Sequence, residues 1–217
     1  MISCPSLPFK LYLITDRLGC AGRDLFAVVE ESLKGGVKAV QLREKDLSSQ
    51  DIHELALAMR KLTARYGAGL FINDRVDVAM AVKADGVHLG DASIPINTAR
   101  MLAGENMRIG VSCHSRESAT AAQDMGADFI TYGPVFFTPS KAAYGPPLGI
   151  DSLSEVTSLL RIPVIALGGI TCLNTRQVLD AGAHGIALIS AIICAENPCE
   201  ETRTLLALLP PGVQDEE

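Results

Sequence analysis

The sequence predicts a single-domain α/β fold, a (β/α)8 TIM barrel, and three observations predict it. Eight short runs rich in Val, Ile and Leu are spread along the chain, each is followed by a stretch with helical periodicity, and no linker or composition shift divides the 217 residues. The unit recurs about every 25 residues, the length of a strand and a helix joined by short connections.

The strand-like runs are LYLIT at 11–15, KAVQL at 38–42, GLFI at 69–72, DGVHL at 85–89, RIGVS at 108–112, DFITY at 128–132, PVIAL at 163–167 and HGIAL at 184–188. Between them, Ile52, Leu55, Ala56, Met59 and Leu62 share one face of a helix. Ser48 or Ser49 marks the start of that second helix, and Ser115 with Ser118 marks the fifth. Gly35, Gly67, Gly126 and Gly182 sit where helices should stop. A doubly wound open sheet is the rival, but no G-x-G-x-x-G follows the first run, and eight parallel strands are many for such a sheet at this length. Residues 1–9 are expected as an N-terminal extension, 10–209 as the barrel and 210–217 (PPGVQDEE) as a flexible C-terminal tail.

Composition narrows the function. With 48% hydrophobic and 20% charged residues the chain buries a substantial core, and a net charge of −6 argues against nucleic acid or an anionic membrane as principal partner. A local basic pocket for phosphates remains compatible. Cys4, Cys20, Cys113, Cys172, Cys194 and Cys199 are scattered, with no C-x-x-C pair and no His–Cys ligand spacing, so reduced thiols are expected rather than a zinc site or a disulfide framework. The N-terminus lacks a charged segment followed by an apolar one, and no apolar run reaches membrane-spanning length, which predicts a cytoplasmic soluble protein.

A barrel builds its site at the C-terminal ends of its strands, and those ends are rich here. GGIT at 168–171 and ISAI at 189–192 follow the last two strands, where backbone N–H groups and a helix start suit a phosphate, so Gly168, Gly169 and Ser190 are candidates. The alternative is a Gly-Gly pair that only permits a tight turn. In QLREK, Gln41 and Arg43 alternate into the mouth and Lys45 extends the line; two cations on one side suit a diphosphate, against a plain solvated loop. Asp74 of Asn73-Asp74 either ligates Mg²⁺ or caps the helix that follows. His114, after Ser112, is placed to shuttle protons. His53 reads as helix surface, His184 as a helix-end residue and His88 as a satisfied interior histidine. TPSK at 138–141 reads as a mobile loop closing on a phosphorylated substrate, or as a surface loop.

Seven stretches, LYLITDR, QLREKD, INDRVDVA, GVHLG, GVSCHS, YGPVFFTPSK and IPVIALGGIT, fall in order at these strand ends, and over nearly its full length the chain resembles the thiamin phosphate synthase and TenI family. The resemblance implies a cytoplasmic enzyme of thiamin biosynthesis, a transferase that couples hydroxymethylpyrimidine diphosphate with thiazole phosphate and releases pyrophosphate. By that resemblance Gln41, Arg43, Lys45, Asn73 and Lys141 hold the pyrimidine diphosphate and Asp74 holds Mg²⁺. Thr138, Ser140, Gly168 and Ser190 help hold the thiazole phosphate, and Ser112 lies beside the pyrimidine. The catalytic set is thus Arg43, Lys45, Ser112, His114 and Lys141. The partners are small phosphorylated molecules, and a homo-oligomer is compatible.

One departure stands out. The synthases continue the fourth strand as Gly-Gln-x-Asp, with a second metal ligand at the last position; here the residues are Gly90, Asp91, Ala92 and Ser93. Asp91 substitutes only if the loop is reshaped. The departure keeps two alternatives open: a TenI-like thiazole tautomerase, an isomerase that needs no metal and uses His114 as acid and base, and a non-catalytic regulator that binds thiazole phosphate. A generic aldolase or isomerase barrel would want a Schiff-base lysine, and Lys10 lies at the wrong end of the first strand.

Overall fold

The structure is a computed structural model that describes residues 7–139 and 145–210. Eight parallel strands close into a barrel in sequence order: β1 (Leu11–Ile14), β2 (Ala39–Leu42), β3 (Gly69–Asn73), β4 (Gly86–Leu89), β5 (Arg108–Cys113), β6 (Phe129–Tyr132), β7 (Val164–Leu167) and β8 (Gly185–Leu188). All eight predicted runs are strands, and β1 closes on β8 with Tyr12 opposite Ala187.

Side chains alternate across each strand, so Leu11, Leu13, Val40, Leu42, Leu70 and Ile72 join the shell between sheet and helices. Tyr12, Ala39, Phe71, Phe129 and Ile165 point to the axis, where Leu7 and Phe9 complete an inner cluster from below. Two members of the expected N-terminal extension, Leu7 and Phe9, are therefore buried. Phe9, Tyr12, Phe71 and Phe129 meet with ring centroids between 5.3 Å (Tyr12–Phe71) and 5.8 Å (Phe9–Phe129). Burying each ring contributes about 2–3 kcal/mol. Gly86 and Gly110 make room for them: a Cβ at Gly86 would run into the Phe71 ring and one at Gly110 into Phe129. Below this floor Lys10 Nζ lies 3.3 Å from His184 Nδ1, while His184 Nε2 reaches the Leu7 carbonyl at 3.2 Å.

The helices are α1 (Leu25–Gly35), α2 (Ser49–Arg65), α3 (Val76–Ala81), α4 (Ile96–Ala103), α5 (Arg116–Asp124), α6 (Gly149–Leu159), α7 (Thr175–Asp180), α8 (Ser190–Ile193) and α9 (Pro198–Leu206). Ser48 caps α2 by accepting from the Asp51 N–H, and Ser115 and Ser118 form a reciprocal box at α5. On α2, Ile52, Ala56, Met59 and Leu62 are buried and Leu55 packs at their edge. Gly67, Gly126 and Gly182 follow helix ends with positive φ, but at α1 the turning residue is Gly36, φ 113°. Gly35 serves packing instead. A Cβ there would lie 2.6 Å from the Cys199 carbonyl oxygen and 2.7 Å from Thr202 Cβ, so its absence lets α9 lie against α1. Among the described residues no helix is long and apolar enough to cross a membrane, and Cys20, Cys113, Cys172, Cys194 and Cys199 are free thiols.

Candidate active site

Above the aromatic floor the barrel interior turns polar. Gln41 Nε2 donates to the Tyr12 hydroxyl at 3.2 Å, and that hydroxyl lies 3.5 Å from His88 Nδ1. His88 Nε2 sits 3.1 Å from Ser112 Oγ and 3.3 Å from Thr131 Oγ1. Burial pushes His88 down from 6.5 to about 3, so the ring is neutral near pH 7. His88 is the satisfied interior histidine that its apolar neighbours predict, and His53 lies on α2.

One layer up, the tips of β1 and β2 are clamped together. Glu44 is 7% exposed and accepts from Thr15 Oγ1 at 2.7 Å, from the Arg17 N–H at 3.2 Å and from the Arg17 guanidinium at 3.2 Å. Arg17 also forks onto Asp46 at 2.5 Å through each nitrogen, which holds the Asp46 carboxyl below its usual range and raises Arg17 further. The Thr15 hydroxyl meanwhile accepts the Arg43 N–H at 2.9 Å. Glu44 thus faces β1, whereas Lys45 reaches towards the tip of β3. Among the described residues no carboxylate pairs with Arg43, and Lys45 Nζ stands 3.9 Å from Asp74 Oδ2. This clamp was not among the predicted site residues, although the alternation within QLREK signals that Glu44 faces away from Arg43 and Lys45.

Asp74 has the left-handed φ of 60° and turns its carboxylate towards β4. Its Oδ2 accepts from Asn73 Nδ2 at 2.7 Å, and its Oδ1 accepts from the Gly90 N–H at 3.2 Å and from the Ser93 hydroxyl. It does not cap α3: Arg75 occupies that position, without a side-chain cap. Asp91 points elsewhere, 78% exposed, with Oδ2 3.8 Å from His114 Nε2. His114 Nδ1 lies 2.5 Å from the Gly133 carbonyl oxygen, which only accepts, so Nδ1 is the donor of that contact and Nε2 is the ring nitrogen turned towards Asp91.

Gly168 and Gly169 have φ of 98° and 64°. A Cβ at Gly168 would stand 2.5 Å from Pro134 Cβ, and one at Gly169 2.5 Å from the Phe137 carbonyl oxygen, because the segment after β6 lies directly on this turn. Val135 N–H bonds to Leu167 O at 2.9 Å and Phe136 N–H to Gly168 O at 3.0 Å. The pair thus makes the tight turn and also seats the β6 segment that carries Thr138. Ser190 is exposed at the first residue of α8. Ser140 and Lys141 lie outside the described residues.

The arrangement brings Gln41, Arg43, Lys45, Asn73, Asp74, Ser112 and His114 to one end of the barrel, with Gly168, Gly169 and Ser190 at the same end of β7 and β8. The chain matches the thiamine monophosphate synthase family over residues 11–192. It is 61% identical over 208 residues, 96% of this chain and 98% of the other, to a Geobacter sulfurreducens protein whose curated name assigns thiamine-phosphate synthase activity provisionally. It is 42% identical over 197 residues to the thiamine-phosphate synthase of Clostridium novyi, covering 91% of this chain and 97% of that one. Among solved structures, a thiamine phosphate pyrophosphorylase from Pyrococcus furiosus superposes with a TM-score of 0.84 at 40% identity, over 92% of this chain and 94% of that one. A 3-hexulose-6-phosphate synthase, at 18% identity and a TM-score of 0.71 over 93% of this chain and 100% of that one, shares the barrel alone. With the family match over residues 11–192 and these relatives in agreement, the chain belongs to the thiamine monophosphate synthase family.

Proposed function

We propose that the chain is a thiamine-phosphate synthase, a transferase of thiamin biosynthesis that couples hydroxymethylpyrimidine diphosphate with thiazole phosphate and releases pyrophosphate. The observation that supports it most is the pair of cations at the end of β2, Lys45 beside Asp74 and Arg43 with its backbone N–H held by the buried Thr15–Glu44 clamp. As the bond between the pyrimidine methylene and the diphosphate breaks, negative charge gathers on the leaving group, and the thiazole nitrogen captures the cation left behind. Arg43, Lys45 and Lys141 neutralise that charge. Gln41 and Asn73 orient the pyrimidine diphosphate, and Ser112 lies against the ring. Thr138, Ser140, Gly168, Gly169 and Ser190 hold the thiazole phosphate.

The residues present fit Mg²⁺ in a limited form. Among the described residues no three His, Cys, Asp or Glu side chains cluster, and Asp74 has a serine hydroxyl rather than a second carboxylate beside it. One carboxylate suits a Mg²⁺ that takes its remaining ligands from water and from the diphosphate. Asp74 would hold it, and Asp91 would join only by leaving His114. When bound, the ion adds positive charge against the departing diphosphate.

A second reading, metal-independent proton transfer on a thiazole carboxylate phosphate, draws on the His114 geometry, since Nδ1 is tied to Gly133 and Nε2 is left on the side of the exposed Asp91. A paired assay separates them. Thiamin phosphate formation that needs Mg²⁺ and fails in Asp74→Ala is expected; isomerisation without metal, lost in His114→Ala, would overturn the synthase assignment, and inertness in both with retained binding would point to a regulator.

A further inference from the structure

We infer that Tyr12 and His88 are positioning residues that fix the direction of the Ser112 hydroxyl, making it a hydrogen-bond donor towards the substrate. The argument follows protons along one buried chain. Gln41 Nε2 donates to the Tyr12 oxygen at 3.2 Å, so the single phenolic proton is left for the other neighbour, His88 Nδ1, at 3.5 Å. A neutral imidazole that accepts at Nδ1 carries its own proton on Nε2. That N–H faces Ser112 Oγ at 3.1 Å and Thr131 Oγ1 at 3.3 Å. Thr131 Oγ1 in turn donates to Ser112 Oγ at 3.4 Å. The Ser112 oxygen thus receives hydrogen bonds from two buried groups, and among the described residues no acceptor takes its own proton. The proton turns to the barrel mouth, the side from which substrate enters.

Tyr12, Gln41, His88 and Thr131 are each at most 2% exposed, so no bulk water competes for these partners and the direction of the chain is fixed before substrate arrives. The group that Ser112 meets must then be an acceptor. On the synthase reading, on which this assignment of the ligand rests, that group is a ring nitrogen of the pyrimidine diphosphate. Reversal of the chain would have the opposite consequence: a proton on His88 Nδ1 would draw the Ser112 proton inward and offer the substrate only a lone pair.

Ring ¹⁵N chemical shifts of His88 in the ligand-free protein test the direction, with the Nε2–H tautomer expected; an Nδ1–H tautomer would overturn the inference. Tyr12→Phe keeps the ring in its aromatic cluster and removes the proton that selects the tautomer. It is expected to shift His88 away from pure Nε2–H and to lower kcat/KM for the pyrimidine diphosphate about tenfold. In a Ser112→Ala background the same substitution is expected to change kcat/KM little, because the effect runs through Ser112. An equal loss in both backgrounds would mark Tyr12 as structural and sink the proposal. Absence of turnover with both synthase substrates would overturn the synthase reading alone, while the tautomer measurement still decides the direction of the chain.

Discussion

Ser93 donates its hydroxyl hydrogen to Asp74, joining the tip of β4 to the tip of β3 at the mouth of the barrel. The bond places a neutral donor where a second acidic ligand would double the negative charge. Asp74→Asn keeps an acceptor for Ser93 but removes the charge, and is expected to lower Mg²⁺-dependent kcat/KM about 100-fold with little change in thermal stability. Ser93→Asp is expected to lower the Mg²⁺ concentration for half-maximal activity about tenfold, since affinity follows ligand charge. Steady-state assays across a Mg²⁺ series read both, and equal metal dependence in wild type and Asp74→Asn would remove Asp74 from metal binding.

Glu44→Ala strips the acceptor from Thr15, from the Arg17 N–H and from the Arg17 guanidinium together. A buried acceptor lost from charged and neutral donors costs about 3 kcal/mol of folding stability. Because Thr15 also holds the Arg43 N–H, the KM for the pyrimidine diphosphate is expected to rise about tenfold. Denaturant unfolding and initial-rate kinetics measure the two effects, and a stable variant with unchanged KM would show that Arg43 needs no clamp.

Acid should weaken the fold before the carboxylates titrate. His88 is depressed by burial from 6.5 to about 3, so between those values the unfolded chain binds a proton that the folded chain refuses. Its stabilising contribution is complete above pH 6.5 and is lost as pH falls towards 3, by about 2 kcal/mol between pH 7 and pH 5. His184, lowered by burial and by Lys10, acts with the same sign. Urea unfolding at pH 7 and pH 5 is expected to show this loss, and a smaller one in His88→Gln; identical pH slopes for both proteins would contradict it.

Gly168→Ala forces a side chain to adopt a φ of 98° and drives its Cβ towards Pro134. A destabilisation of about 2–3 kcal/mol is expected, together with weaker use of thiazole phosphate because the β6 segment moves off its seat. Thermal melts and the KM for thiazole phosphate are the measurements, and a neutral variant would mean that the turn relaxes freely.

The eight strands were legible because every one alternates between an apolar shell and a barrel interior, and the serine caps at Ser48 and Ser115 were legible because their bonds are local. Long-range partners were harder to read. Gly35 resembles a helix stop, yet its missing side chain answers to Thr202 on α9, far along the chain. Asp74 reads as a cap for α3 because Asx residues commonly precede helices, but its left-handed backbone turns it to Ser93. Glu44 went unrecognised as a site residue because its partners, Thr15 and Arg17, come from another strand tip. The inward turn of Gln41 towards Tyr12 was readable from strand alternation alone.

The four rings of Phe9, Tyr12, Phe71 and Phe129, admitted by Gly86 and Gly110, seal one end of the barrel. Traffic through the molecule is therefore single-ended. Whatever binds in the mouth must therefore enter and leave by that one doorway.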